Sequence, residues 1–134
     1  MIINIPKADL QRNINLEPNW YGAVFEKMEP KPSADKQSTN FYATFRIEAD
    51  GRSMEHPFNS KALSMMQPFI EAIRGQKVAV VDKVVQEDIT FQPEEYFGKK
   101  LLLKIDNDPW DGRLVSKIKG FLPYEADISV AFGS

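Results

Sequence analysis

The sequence has no cysteine and only one histidine, His56, in 134 residues. Without cysteine there are no disulfides, thiol nucleophiles or thiolate zinc sites, as expected of a protein that works in a reducing cytoplasm. With one histidine, a Ser-His-Asp arrangement has one place to form. His56 precedes Pro57 inside a strand pattern, however, and no Gly-x-Ser-x-Gly elbow occurs. His56 therefore reads as a surface or groove-lining residue. No phosphate-cradling glycine loop is present either, which removes the common nucleotide-dependent enzymes. No apolar run approaches a membrane span. The opening Met1-Ile2-Ile3-Asn4-Ile5-Pro6-Lys7 has neither the basic start nor the long apolar core of a signal peptide. The expectation is a cytoplasmic, non-enzymatic protein with no cofactor, no metal and no membrane contact.

The length corresponds to one domain with enough apolar content for a core. A formal charge of −2 argues against coating duplex DNA by bulk positive charge. Distribution matters more than the sum. Lys99 to Lys119 carries six basic residues against three acids, whereas Asp82 to Glu95 carries five acids against Lys83 alone. Either the domain has a basic and an acidic side, or these are solvated loop charges.

Alternation of apolar and polar residues predicts strands over Trp20 to Met28, Asn40 to Ile47, Arg52 to Phe58, Lys99 to Asp106 and Arg113 to Leu122. In the second strand Phe41, Ala43, Phe45 and Ile47 form an apolar face, while Tyr42, Thr44 and Arg46 form the other. In the last strand Leu114 and Ile118 share one face, opposite Arg113, Val115, Lys117, Lys119 and Phe121. Both polar faces pair a ring that can stack on a base with cations that can hold phosphate. The third strand is ambiguous, because either Met54 with Phe58 or Ser53 with Pro57 can point inward. Glu29 to Ser38, with Pro30 and Pro32, reads as a long exposed loop carrying Lys31 and Lys36. Asp50-Gly51 favours a hairpin turn.

Lys61 to Gly75 is helical by spacing, with Leu63, Met66, Ile70 and Ile73 on one stripe and Gly75 as the stop. Pro68 demands either a kink or a helix starting near Ser64. Gln76 to Phe97 begins with a valine-rich run, is expected to cover one end of the barrel, and closes with one helical turn led by Pro93. Met1 to Pro18 reads as an arm or short strand packed on the domain. The alternating Asp127 to Phe132 reads as an edge strand or a docking segment. The predicted fold is mainly β: a five-stranded Greek-key OB-fold barrel with a helix between strands 3 and 4, in one domain spanning 1–134. Its arm covers 1–18, its core 19–123 and its extension 124–134. Such barrels bind oligonucleotides or oligosaccharides around the second and third strands.

The acids near Asp106 and Asp108 resemble a calcium loop. The fifth, sixth and twelfth positions, however, hold Trp110, Asp111 and Lys117 where an oxygen ligand, glycine and glutamate are needed. The segment reads instead as a hairpin loop with Asp111-Gly112 as its turn. Trp110 there either folds back on the barrel or waits for a flat partner such as a base; Trp20 reads as packed. Stacking contributes ~1 to 3 kcal/mol per base, so two or three rings reach about −8 kcal/mol, micromolar affinity, with few phosphate contacts.

Trp20 to Met28, Phe41 to Ile47, Gly51-Arg52, the helix ending at Gly75, Gly98 to Ile105, and Asp111 to Val115 leading to Phe121-Leu122-Pro123 together resemble the small OB-fold single-stranded-DNA-binding proteins encoded by tailed bacteriophages. The resemblance is one of order and spacing, over about Asn19 to Pro123. It implies a protein that coats single-stranded DNA in phage replication and recombination, in the host cytoplasm, alongside other replication or recombination proteins. It departs from the pattern of many single-strand binders at its end, where Glu125 to Ser134 carries only Glu125 and Asp127 in place of an acidic recruiting tail. The expected interface is Tyr42, Phe58, Trp110 and Phe121 for stacking, with Arg46, Arg52, Lys104, Arg113, Lys117 and Lys119 for phosphates. The alternative is a phage structural or assembly protein whose OB-like barrel makes protein contacts. A small hydrolase or nuclease would need a carboxylate cluster, and the only dense one is the hairpin loop.

Overall fold

Period-two alternation builds most of the molecule, because each strand buries one face and leaves the other to solvent. The computed structural model describes residues 1–11 and 14–126. In chain order these form α1 (Lys7–Gln11), β1 (Asn19–Pro32), β2 (Thr39–Ile47), β3 (Ser53–Asn59), a 3-10 turn (Leu63–Met66), α2 (Gln67–Arg74), β4 (Val80–Val81) and β5 (Val84–Val85). A second 3-10 turn (Pro93–Tyr96), β6 (Lys100–Trp110) and β7 (Arg113–Pro123) complete the series. The alternating Asp127 to Phe132 lies outside the described residues.

Five strands form one antiparallel sheet in the order β3-β2-β1-β6-β7. β1 is central and long: its first half pairs with β6 and its whole length from Ala23 onward with β2, with a bulge at Glu26. The expected loop from Glu29 is therefore strand as far as Pro32, with Lys31 opposite Asn40. Outer strands β3 and β7 do not pair with each other, yet their inward rings meet. Phe121 lies 5.9 Å from Phe58 and 5.5 Å from His56. The sheet is thus curled, with a seam between its two edges.

The core is aromatic. Phe69, fully buried on α2, sits 5.1 Å from Phe25, 5.7 Å from Phe45, 5.4 Å from Phe58 and 5.5 Å from Phe121, so α2 plugs the concave side of the curl. Helix α2 begins at Gln67, with Pro68 in its first turn, where a missing N–H is not needed. It ends at Gly75, whose φ of 70° is left-handed and whose N–H donates to the Glu71 carbonyl. The turns before Gln67 are 3-10, which swings the expected stripe residue Leu63 out to solvent. The ambiguity on β3 resolves toward Met54, His56 and Phe58 facing inward, since their partners Phe45, Ala43 and Phe41 belong to the apolar face of β2.

The valine-rich run does not cover the core as expected. Val80, Val81, Val84 and Val85 form a two-stranded hairpin about an Asp82-Lys83 turn, and all four are more than half exposed. Cover comes from the later part of the expected segment alone. Phe91 stacks on Tyr96 at 5.4 Å, Phe97 meets Phe25 at 5.3 Å, and Arg74 lies over both Phe91 and Tyr96. Only the end of the arm packs on the domain: the Asn15 side-chain amide donates to the Leu114 carbonyl, and the Leu16 N–H donates to the Ser116 hydroxyl, while Ile2, Ile3, Ile5 and Leu10 are exposed. Among the described residues no helix is long and apolar enough to cross a membrane.

Candidate nucleic-acid interface

Side chains on the convex side of the curled sheet form two surfaces, with β1 between them in the sheet and β3 between them across the seam. The first surface centres on β2. Its register sets Tyr42 opposite Glu29 and Pro57, Thr44 opposite Lys27 and Glu55, and Arg46 opposite Val24 and Ser53. Tyr42 and Arg46 are four residues apart, about 13 Å along the strand. Arg46 lies 3.8 Å from Glu26 and Lys27 lies 3.7 Å from Glu29, while the Lys31 ammonium sits 5.3 Å above the Tyr42 ring. Thr44 is buried beneath these side chains.

The second surface is the β6–β7 ribbon. The expected loop from Asn107 is strand: pairing continues through Asp108 with Val115 to Trp110 with Arg113, closed by Asp111 and Gly112, both at positive φ. Positive φ at both central residues matches the twist of the ribbon, and Asp-Gly tolerates it. Trp110 therefore stands at the end of a tight ribbon. It is 64% exposed, with the Lys117 ammonium 5.8 Å from its ring. Lys119 pairs with Asp108. Lys104 is exposed in a row with Trp20 and Gly120, where a Cβ at Gly120 would lie 3.3 Å from both neighbours. Arg113, also exposed, has no ion-pair partner among the described residues.

Three expected contacts are not on either surface. Phe58 is 2% exposed and stacks in the core on Phe69. Phe121 also faces inward, against Phe45, Phe58 and Phe69. The cause is a register shift in β6–β7: Lys104 pairs with Gly120 and Ile105 with Ile118, so Lys119 is an extra residue and Phe121 falls on the face of Ile118. Arg52 is 4% exposed, its Nε donating to Asp50 Oδ2 at 2.7 Å. It faces inward because its backbone carbonyl accepts from Ile47, a core residue.

Between β3 and β7 the seam opens into a cleft of about 490 Å³ lined by Asn15, Arg52 to Pro57 and Val115 to Lys119. His56 lies in it, its pKa pushed below the ordinary histidine value by burial first and then by Lys117 and Lys119. The cleft continues into a more apolar hollow of about 520 Å³ that shares His56, Pro57, Ile118 and Lys119 and adds Met65 and Pro68. Ser53 and Glu55 line both this cleft and a hollow on the β2 surface, so the two surfaces meet across β3. Spacing alone offered no sign that Ser53 and Asn15 would join the cleft, because three separate segments build it. No family model and no curated protein matches this chain.

Proposed function

We propose that this protein is a non-enzymatic single-stranded-DNA-binding protein of the phage type, acting in replication or recombination with little sequence preference. On this reading the curled sheet is an OB-fold barrel, strands β1, β2, β3, β6 and β7 being its five members and α2 the helix between its third and fourth. The convex face of β1–β3 and the β6–β7 turn then correspond to the surface that OB folds use for oligonucleotides. The observation that carries the reading is Trp110, largely exposed at the ribbon end, with Lys117 against its ring and the lysine-rimmed cleft alongside. A flat exposed ring beside unneutralised cations is what a base and its phosphate require. Trp110 and Tyr42 stack bases while Lys104, Arg113 and Lys117 meet phosphates, with Lys119 and Arg46 contributing after they leave Asp108 and Glu26.

The test is a titration with oligo-dT, oligo-dA and duplex DNA, followed by tryptophan fluorescence at two salt concentrations. The expected result is saturable quenching by both single strands, weakened by salt. No response at low salt overturns the reading. A second reading, a phage structural or assembly protein, is favoured by the exposed valines of the β4–β5 hairpin. It predicts concentration-dependent sedimentation that Val81→Lys with Val84→Lys abolishes, and no nucleic-acid response.

A further inference from the structure

We infer that the β3–β7 cleft is a dedicated site for one phosphate group, held on its floor by Arg52 and at its rim by Lys117. Arg52 spends one guanidinium nitrogen on Asp50, but its Nη2 is buried with no hydrogen-bond partner among the described residues. Asp50 neutralises the charge but leaves that nitrogen unmatched, which is costly in a buried group, and its position at a cleft lined by Lys117 and Lys119 points to an anion. A guanidinium with an open nitrogen suits phosphate in particular, since its planar fork matches two oxygens of the group. Lys117 has no carboxylate partner among the described residues, and Ser53 lines the same cleft with an exposed side chain. Glu55 is the one carboxylate in the lining and lies exposed.

The field at the centre of the cleft agrees. After burial, the charged groups acting on His56 are Lys117 and Lys119, both disfavouring its protonation. At about 490 Å³ the space exceeds a bare phosphate and admits a nucleotide unit. The proposal uses the single-strand reading only to name a source for the phosphate, a strand end; a free phosphate or mononucleotide is the other source of the same chemistry. Trp110 lies outside the cleft lining while Lys117 touches both, so Arg52 and Ser53 are the residues that separate the site from the stacking surface.

The experiment is an NMR titration of the whole protein with inorganic phosphate, following the Arg52 side-chain Nε–Hε and the His56 ring. In parallel, oligo-dT bearing a 5′-phosphate, a 3′-phosphate or neither is bound by fluorescence. Saturable shifts at millimolar phosphate are expected, with the His56 pKa rising as the anion joins it. Lys117→Ala and Arg52→Gln should each weaken phosphate binding by about tenfold. If Arg52→Gln does not fold, Lys117→Ala and Ser53→Ala carry the test, because both positions are partly or fully exposed. Tighter binding of one end-phosphorylated strand identifies the strand end as the source; equal binding with phosphate shifts intact identifies a free phosphate or mononucleotide. Absence of saturable shifts at tens of millimolar phosphate overturns the site even where oligo-dT still quenches Trp110. Phosphate shifts without any oligo-dT response leave the site standing and sink the single-strand reading instead.

Discussion

The β2 surface and the β6–β7 ribbon hold the same ingredients, an aromatic ring among cations, but the ribbon exposes its ring further and leaves Lys117 and Arg113 outside any ion pair among the described residues. On β2, Arg46 has Glu26 beside it, Lys27 has Glu29, and Lys31 covers the ring of Tyr42. On the ribbon, Asp108 holds Lys119, but Lys117 lies over Trp110 without an ion pair and Arg113 has no ion-pair partner among the described residues. Exposed ion pairs contribute only ~0 to 1 kcal/mol to stability, so the contrast concerns binding: a phosphate at Lys27, Arg46 or Lys119 must displace a carboxylate, and one at Lys117 or Arg113 need not. Composition does not separate the two surfaces. Ion pairing does, and it does not follow from register, since Asp106 stands opposite Lys117 without pairing while Lys27 and Glu29 pair along one strand.

The sharpest way to break this comparison lies within the ribbon, between its two large rings. Phe121→Ala should cost about 3 kcal/mol of stability, read as a lowered urea midpoint, because the ring fills the seam between Phe45, Phe58 and Phe69. Trp110→Ala should change stability by less than about 0.5 kcal/mol, the ring being mostly in solvent. It should weaken oligo-dT binding by about tenfold or more, from the ~1 to 3 kcal/mol of a lost stack. A Phe121→Ala protein as stable as the parent but defective in binding would show that the ring works outward.

That pair of rings also marks where the sequence was readable. The inward faces of β1, β2 and β6 follow directly from alternation, since Ala23, Phe25, Ala43, Phe45, Leu101 and Leu103 are all fully buried. The stop at Gly75 and the Pro93 turn were legible for the same reason: each needs one residue type at one position. Phe121 was misplaced because a single extra residue at Lys119 reverses every face beyond it, and a bulge leaves no mark in hydrophobic periodicity. Arg52 was misplaced because a buried arginine is legible only through its partner, and Asp50 reads locally as a turn residue. The valine hairpin defeated the reading in the opposite sense, its apolar side chains standing outside the core.

Between the two surfaces the next contrast is Lys117→Ala against Arg46→Ala. Loss of Lys117 should weaken single-strand binding about five- to tenfold for every sequence alike, and flatten the salt dependence by about one counterion. Loss of Arg46 should cost less than about twofold, since its charge already belongs to Glu26. Equal losses, measured by fluorescence at one salt concentration, would show that the ion pairs on β2 open freely and that ion pairing does not separate the surfaces.

The smallest expected effect is a pH dependence at the seam where the surfaces meet. Burial, then Lys117 and Lys119, holds the folded pKa of His56 below its ordinary value of 6.5. Folding therefore disfavours the imidazolium, and the unfolded chain binds the proton more readily. The His56 contribution is present in full above pH 6.5 and is lost as pH falls from there through the folded pKa. Urea midpoints should drop between about pH 7.5 and pH 5 by more in the parent than in His56→Gln, which has nothing to titrate at that position. Lys117→Ala should fall between them, because burial and Lys119 still act on the ring after one of its three causes is gone. A parent slope equal to that of His56→Gln would mean that the imidazole titrates in the fold as it does in the unfolded chain. The seam would then gain a charge only below about pH 6.5, and single-strand binding should tighten with acid there, at a point separate from Trp110.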